Sequence, residues 1–70
     1  MKARYAGIDV RANDWWRLPS GRMVCIRKVA GHGQHAEATV RYVDQDGAMA
    51  QGEFTLSVPF ITRGEKVQHA

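Results

Sequence analysis

Cysteine is almost absent from this chain, whose 70 residues include only Cys25. An intrachain disulfide is therefore excluded, and a lone cysteine fits a reducing compartment. A domain of this length buries only about 60% of the surface that its unfolded chain exposes, so its core is small. Because no disulfide can reinforce that core, self-association is one remaining way to enlarge it, and we keep a homo-oligomer among the expected states.

Long apolar runs are also missing. Basic residues occur within Met1–Tyr5, but no apolar stretch follows them, so the sequence does not predict a signal peptide. None of the apolar runs approaches the ~20 residues that a membrane-spanning helix requires. The expected protein is cytoplasmic and makes no membrane contact.

Recognisable signatures of catalysis, metal binding and cofactor binding are missing as well. Cys25, His32 and His35 offer metal-binding groups, but a structural zinc site needs four ligands and normally a close pair of cysteines. Asp44 and Asp46 match only the start of a calcium loop, whose further acidic ligands are absent. No Ser-His-Asp or Cys-His pairing has a recognisable spacing. We therefore predict a non-enzymatic protein with no cofactor and no metal.

Positive charge is concentrated in the first part of the chain. Residues 1–28 carry seven Lys or Arg against two Asp, a net charge of +5, whereas residues 29–70 carry three against five, a net charge of −2. Apolar residues make up 44% of the chain and charged residues 24%, which is typical of a folded domain. A basic half suits a surface that binds phosphates or acidic partners. The alternative is scattered charge that only keeps a small protein in solution.

The middle of the chain has the pattern of an antiparallel sheet. Ala36–Val43 alternates strictly between two faces and contains β-branched and aromatic residues, which predicts a half-buried strand. Arg22–Val29 and Glu53–Val58 are the other β-rich segments. The last of these can be extended back to Ala48, with a bulge or a strand break at Gly52. With the short final strand described below, we predict four or five strands in total.

Turn-forming residues separate these segments. Asp44–Gly47 has the Asp-Gly chemistry of a tight hairpin, and Leu18–Gly21 predicts another turn. Pro59 has no N–H for a strand ladder, so it predicts a single 3₁₀ turn at the end of the sheet. A short final strand is expected over Glu65–Gln68.

The N-terminal residues are less regular. Tyr5, Ile8 and Val10 predict a strand that is interrupted at Gly7, and Ala12–Trp16 predicts a turn. No stretch shows helical periodicity over enough residues to predict a helix.

The strand alternation also predicts the core. In Arg22–Val29 we expect Val24 and Ile26 to point inward, although both faces of this strand are mostly apolar and the opposite register stays open. The predicted core residues are Val24, Ile26, Val40, Tyr42, Phe54, Leu56 and Phe60.

The order of these elements resembles that of SH3-like barrels. Leu18–Val29, in which a glycine precedes a strand with basic residues, is similar to the opening of a KOW or Tudor-type unit. The resemblance implies an all-β domain of about five antiparallel strands over residues 1–70, with 1–18 as an N-terminal extension and 19–68 as the barrel. SH3-like barrels bind RNA, DNA, peptides and modified side chains, so the resemblance implies no single function. Ser57–Ile61 resembles part of the substrate-strand motif of plasmid-encoded type II dihydrofolate reductases but lacks its glutamine and tyrosine, so we do not predict that activity.

The adjacent residues Trp15 and Trp16 are the strongest candidates for a contact surface. Neighbouring side chains of an extended chain point to opposite sides, so one indole is expected inside and the other outside, and the sequence leaves open which. An exposed indole beside arginines suits base stacking or peptide binding, whereas in the alternative both indoles fill the core. The candidate nucleic-acid-binding residues are Arg11, Trp15, Trp16, Arg17, Arg22, Arg27 and Lys28.

Two functions follow from these observations. The first is a non-enzymatic module that binds nucleic acid through a basic face with an exposed tryptophan, which predicts steep salt dependence of oligonucleotide binding. The second is a protein-interaction or homo-oligomeric assembly module, which predicts a concentration-dependent mass. A Tudor-type aromatic cage would require several of the available aromatics to converge at one rim. Those aromatics are Trp15, Trp16, Tyr42 and Phe54.

Overall fold

The structure, a computed structural model, describes residues 2–68. The two ends of the predicted domain, residue 1 and residues 69–70, lie outside the described residues. The described chain forms seven strands: β1 (Lys2–Tyr5), β2 (Ile8–Arg11), β3 (Trp15–Arg17), β4 (Met23–Ala30), β5 (Glu37–Val43), β6 (Phe54–Ser57) and β7 (Glu65–Val67). It also contains a 3₁₀ turn at Gly33–His35 and one helical turn, α1 (Val58–Ile61).

Strands β3 to β7 form one antiparallel sheet in the spatial order β6-β5-β4-β3-β7, while β1 and β2 form a separate hairpin. The predicted all-β class is confirmed, with seven antiparallel strands in two sheets among residues 2–68. Strand β3 of the five-stranded sheet lies within residues 1–18, which were predicted as an extension outside it. The sheet is not closed into the predicted barrel, because within residues 2–68 the edge strands β6 and β7 do not pair with each other. A barrel requires its edge strands to meet, whereas here the hairpin and α1 pack over the open side.

The core lies between one face of the sheet and a layer made by the β1–β2 hairpin and α1. Cross-strand register places Trp16, Val24 and Val40 on this inner face together with Ile26. Val24 and Ile26 are fully buried, so their predicted inward orientation is confirmed. The buried residues that the covering layer contributes are Ala3, Val10, Val58 and Ile61.

A bulge interrupts the pairing of β4 with β5. The register shifts between Ile26 and Lys28, so Arg27 is an extra residue on β4. Arg27 and Lys28 are both exposed there, and Val29 returns to the core. The bulge thus displays two consecutive basic side chains at the surface of the sheet.

The N-terminal region differs from its prediction in two ways. The chain reverses at Ala6 and Gly7, both with positive φ, so two paired strands replace one interrupted strand. Trp15–Arg17, expected as the end of a turn, is strand β3 and pairs with both β4 and β7. Burial of Trp16 on the inner face outweighs the local turn signal, because strand preference depends mainly on packing.

Asp44 organises the turn after β5. Its Oδ1 accepts hydrogen bonds from the backbone N–H groups of Asp46 and Ala48, both at 2.9 Å. Gly47 has a φ of +84°, as the predicted Asp-Gly turn requires. The turn is therefore fixed by an Asp side chain at its first position as well as by the glycine.

The segment beyond this turn is less regular than predicted. The strand expected to begin near Ala48 is reduced to a single bridge at Met49, and β6 begins at Phe54. Pro59 ends the sheet as predicted. The turn that contains it is α-helical rather than 3₁₀, because the Thr62 N–H donates to a carbonyl four residues back at 2.9 Å.

Phe54 corrects the predicted core, because it is 52% exposed. Its strand parity was predicted correctly: Phe54 pairs with Val40 and so shares the inner face. However, β6 is an edge strand, and the covering layer leaves its first residue open to solvent. Tyr42, Leu56 and Phe60, also predicted in the core, are partly buried and pack against its rim.

No helix among residues 2–68 is long and apolar enough to cross a membrane.

Candidate nucleic-acid interface

Strand β3 sends its two tryptophans to opposite faces of the sheet. Trp16 lies on the inner face opposite Val24 and is only 3% exposed, so its indole is a core group and offers no stacking surface. Trp15 lies on the outer face and is half-buried. The turn after β5 comes close to it, since a Cβ built on Gly47 would lie 4.0 Å from Cη2 of Trp15. Trp15 is therefore partly covered rather than presented as an open platform.

The basic candidates of the main sheet lie at separate places. Arg17 is on the outer face, where its Nη1 donates to the carbonyl of Gly21 at 3.3 Å. Arg22 lies just before β4 on the inner side, whereas Arg27 and Lys28 are at the bulge. Six residues of extended chain, about 20 Å, separate Arg22 from Lys28.

Arg11, the remaining basic candidate, belongs to the hairpin and lies outside the main sheet. Its Nη2 donates to Oδ2 of Asp9 at 3.3 Å, and the same carboxylate attracts Lys2 and Arg4. The structure therefore distributes the candidate cations over the hairpin, the β3–β4 turn and the bulge, instead of gathering them on one face.

A cluster that was not singled out from the sequence lies near the start of β4. The guanidinium carbon of Arg22 is 3.9 Å from the centroid of the Tyr42 ring. Tyr42 meets Phe54 edge to face, with ring centroids 5.3 Å apart and an interplanar angle of 62°. Both geometries are favourable, the first as a cation–π contact and the second as an aromatic pair. We call Arg22, Tyr42 and Phe54 the aromatic ledge.

Strand register builds the aromatic ledge. Val24 pairs with Tyr42 and Val40 pairs with Phe54, so both rings lie on the inner side of the sheet toward the same corner. The hairpin and α1 do not cover this corner, where Arg22 and Phe54 are exposed and Tyr42 is half-buried. The ledge thus presents aromatic surface and a fixed positive charge to solvent.

A groove that is open to solvent runs beside the ledge. It is lined by Arg22, Tyr42 and residues of the β5–β6 loop, among them Asp44 and Met49. A backbone hydrogen bond from the Ala50 N–H to the Tyr42 carbonyl, 2.8 Å long, holds this loop in place. An aromatic wall, a cation and an apolar side chain together suit a planar ring or an extended chain.

Sequence reasoning assigned Tyr42 and Phe54 to the core and so left them out of the site. The sequence did contain a signal for this site. Tyr42 and Phe54 were among the aromatics available for a cage, and Arg22 was among the basic candidates. Their convergence depends on the register of β4, β5 and β6, and register is a long-range property that local alternation does not reveal.

The metal-binding groups considered from the sequence, which are His32, His35 and Cys25, differ in exposure. His32 and His35 are exposed at the 3₁₀ turn, and Cys25 is buried in β4. In the part of the chain that the structure describes, no group of three or more His, Cys, Asp or Glu side chains is arranged to hold a metal ion.

The function has to be inferred from the fold and from the chemistry of the ledge. The likeness of the element order to SH3-like barrels remains a prediction. Comparison with known proteins finds no family model, no characterised protein and no solved structure that matches this chain.

Proposed function

We propose that this chain is a non-enzymatic, SH3-like module that binds single-stranded nucleic acid at the aromatic ledge. One observation carries the proposal: a guanidinium, a tyrosine ring and a half-exposed phenylalanine ring lie in contact at an uncovered corner of the sheet. Unpaired bases stack on such rings, and each stacked base contributes about 1–3 kcal/mol. The net charge of +3 adds attraction for the phosphate backbone.

Each ledge residue has its own role in this proposal. Phe54 offers its exposed ring to a base, and Tyr42 holds Phe54 through the edge contact. Arg22 is oriented by the Tyr42 ring and directs its charge to the adjoining phosphate. Because the bases of a duplex are already stacked on one another, the ledge favours single strands.

Fluorescence anisotropy with a labelled single strand and its duplex tests the proposal. We expect Phe54→Ala to weaken single-strand binding about 5- to 150-fold, the equivalent of 1–3 kcal/mol, and to leave duplex binding nearly unchanged. Ile8→Ala is the matched control, because Ile8 is also an exposed apolar residue, at 39%, but lies on the hairpin. Equal single-strand affinities for Phe54→Ala and the parent chain would exclude the ledge as the binding surface.

A second candidate function is self-association through β6. This edge strand, Phe54–Ser57, contains no charged residue, whereas the opposite edge strand β7 contains Glu65 and Lys66. Exposed edges without charges are the ones that pair with another chain. A mass that rises with concentration in sedimentation equilibrium and falls to the monomer value in Phe54→Lys, without oligonucleotide binding, would favour this function.

The proposal keeps the predicted cytoplasmic location. Cys25 is a free, buried thiol, which suits a reducing compartment. Fractionation of cells that express a tagged chain measures the compartment directly.

A further inference from the structure

A second group of basic residues surrounds Asp9 on the β1–β2 hairpin. The hairpin register pairs Lys2 with Arg11 and Arg4 with Asp9, so all four side chains lie on the same side. Lys2 Nζ lies 3.5 Å and Arg11 Nη2 3.3 Å from Asp9 Oδ2, and Arg4 Nε lies 3.9 Å from Asp9 Oδ1. We call these four residues the hairpin cluster. Three cations share one carboxylate, so the cluster has a net charge of +2.

Asp9 holds the hairpin cluster together. Desolvation acts to raise the pKa of Asp9, but the hydrogen bond from Arg11 and the charges of Lys2 and Arg4 outweigh it and hold that pKa below its ordinary value. Asp9 is therefore ionised at neutral pH, and its charge reduces the repulsion among the three cations. The Asp9 side chain is 25% exposed, whereas those of the cations are 50–66% exposed, so the positive groups form the outer surface.

The cations keep most of their hydrogen-bond donors available. A guanidinium has five N–H donors. Arg11 uses one of them for Asp9, and within residues 2–68 the side chain of Arg4 donates no hydrogen bond. The opposite side of the hairpin is anchored in the core through Ala3 and Val10, which are buried. The remaining donors are thus presented to solvent by a strand pair that the core holds in place.

We infer that the hairpin cluster is a phosphate-binding site that engages the backbone of the nucleic acid bound at the aromatic ledge. This inference rests on the proposed function. Surplus positive charge with unused guanidinium donors is the chemistry that recognises phosphate. The cluster is an exposed strand surface rather than an enclosed pocket, so a single free phosphate gains little there. A polyanion that is already held elsewhere on the molecule gains an additional contact.

The salt dependence of oligonucleotide binding tests this site. Lys2→Gln/Arg11→Gln removes the net charge of the cluster and leaves Arg4 paired with Asp9. The slope of log affinity against log salt is negative, and we expect its magnitude to decrease by about 0.7 for each phosphate of a single strand that the variant no longer neutralises. We also expect the affinity at low salt to fall about tenfold or more. Arg63→Gln/Lys66→Gln is the matched control, because it removes the same charge from residues outside the cluster and the ledge. Equal reductions in the two double variants would overturn the inference.

Phe54→Ala in the same assay separates this inference from the proposed function. It should lower single-strand affinity with an unchanged salt slope, because stacking releases no counterions. If Phe54→Ala binds as the parent does while the hairpin variant has a smaller slope, the ledge proposal fails, and the hairpin cluster is left as a phosphate contact that acts without the ledge. If Phe54→Ala weakens binding while the hairpin variant behaves like its control, the phosphate site is excluded.

Nuclear magnetic resonance of the unmodified protein provides an independent test, which does not depend on the folding of a variant. The Nε–Hε signals of Arg4 and Arg11 should shift to saturation with a single strand. Inorganic phosphate should shift them only weakly, and vesicles of phosphatidylcholine with phosphatidylglycerol should not bind more protein than phosphatidylcholine alone. Two outcomes would contradict a nucleic-acid backbone as the ligand. One is saturation of these signals by inorganic phosphate at the concentrations at which the oligonucleotide saturates them, and the other is selective binding to the anionic vesicles.

Discussion

At the scale of single residues, burial decides whether an aromatic side chain stabilises the core or is available to contact a partner. Trp16 is enclosed by the inner face of the sheet, while its neighbour Trp15 is half-buried on the outer face. Phe54 shares a face with Val40 but lies on the edge strand, so half of its surface meets solvent. The free energy gained by burying an apolar side chain scales with the area removed from water. Phe54 should therefore matter more for contact than for stability.

The first prediction compares Phe54 with Ile26. Phe54→Ala should lower the free energy of unfolding by about 1 kcal/mol, the value of an exposed aromatic pair, because it removes only the edge-to-face packing against Tyr42. Ile26→Ala should cost about 2–5 kcal/mol, because Ile26 is fully buried. Urea denaturation measures both. A destabilisation by Phe54→Ala as large as that by Ile26→Ala would place Phe54 in the core after all.

The second prediction concerns Gly47, the glycine in the turn after β5. Its φ of +84° is a conformation that residues with a Cβ adopt only with strain, so Gly47→Val should destabilise the fold by more than about 1 kcal/mol. Gly52→Ala is the control, because Gly52 has no positive φ. A Cβ built on Gly52 would also have room, since its nearest atom would be Phe54 Cε2 at 3.9 Å. In thermal unfolding, Gly47→Val should have a lower Tm than the parent chain, whereas Gly52→Ala should not. Equal Tm values for the two variants would contradict the turn geometry.

Pairing at both sides of β3 links the elements of the sheet. β3 is only three residues long, yet it pairs with β4 and with β7, so it joins the last strand to the centre of the sheet. The chain after α1 approaches β3 closely at Gly64. The other hairpin, β1–β2, contributes to the core with one side and to the charged surface with the other. The β1–β2 hairpin thus has one side that fixes its position and another that is available for contact.

The third prediction concerns the close approach at Gly64. A Cβ built at this position would collide with the backbone carbonyl of Arg17, and a strand backbone cannot move aside as a side chain can. Gly64→Ala should destabilise the fold by about 1–3 kcal/mol, as overpacking generally does. Hydrogen exchange should show reduced protection along the β3–β7 pair before it does in β4 and β5. Unchanged exchange in β7 would show that the two segments do not touch.

The fourth prediction follows from the charges around Asp9. Its pKa in the folded chain is lowered below the ordinary value of 3.8, so ionised Asp9 stabilises the fold above that pH. This stabilisation disappears as pH falls through the lower, folded pKa. Carbon-13 titration of the carboxyl group should show the lowered pKa, and Lys2→Gln/Arg11→Gln should move it back toward 3.8. An identical pKa in that variant would show that the ion pairs do not form in solution.

At the scale of the whole molecule, two thin layers of secondary structure enclose one core. The sheet supplies one side, and the hairpin with α1 supplies the other, so residues 2–11 complete the core although they lie outside the sheet. A 70-residue chain has little apolar surface to spare, because small domains bury a smaller share of their surface. Removal of the hairpin layer should therefore destabilise the entire fold.

The fifth prediction tests this dependence. Val10→Ser places a hydroxyl at a fully buried position of the hairpin, so we expect it to reduce the cooperativity of unfolding or to unfold the chain. Ile8→Ser lies on the same strand but at an exposed position, and we expect a Tm close to that of the parent. Circular dichroism melts compare the two. A normal melt for Val10→Ser would mean that the sheet is stable without its cover.

Local patterning was sufficient to predict much of the fold. Strict alternation in Ala36–Val43 and apolar enrichment in Arg22–Val29 predicted β5 and β4, because one face of each strand must meet a core. Asp44–Gly47 predicted the turn after β5 and Pro59 predicted the break of the sheet after β6, since the backbone preferences of these residues are local. The same two-residue period favoured Val24 and Ile26 as inner positions but left the opposite register open, and the structure decided between the two.

The sequence by itself thus determined the all-β class, the strands β4 and β5, the Asp-Gly turn after β5 and the break of the sheet at Pro59, because these features depend on neighbouring residues. Tertiary structure alone decided that Trp15–Arg17 is a strand, that the sheet stays open, and that Phe54 lies uncovered beside Tyr42. It also decided that the cations separate into distinct groups, with three of them gathered around Asp9. The physical reason is that register, edge position and the reach of the covering layer depend on residues distant in the chain, and no local pattern specifies them.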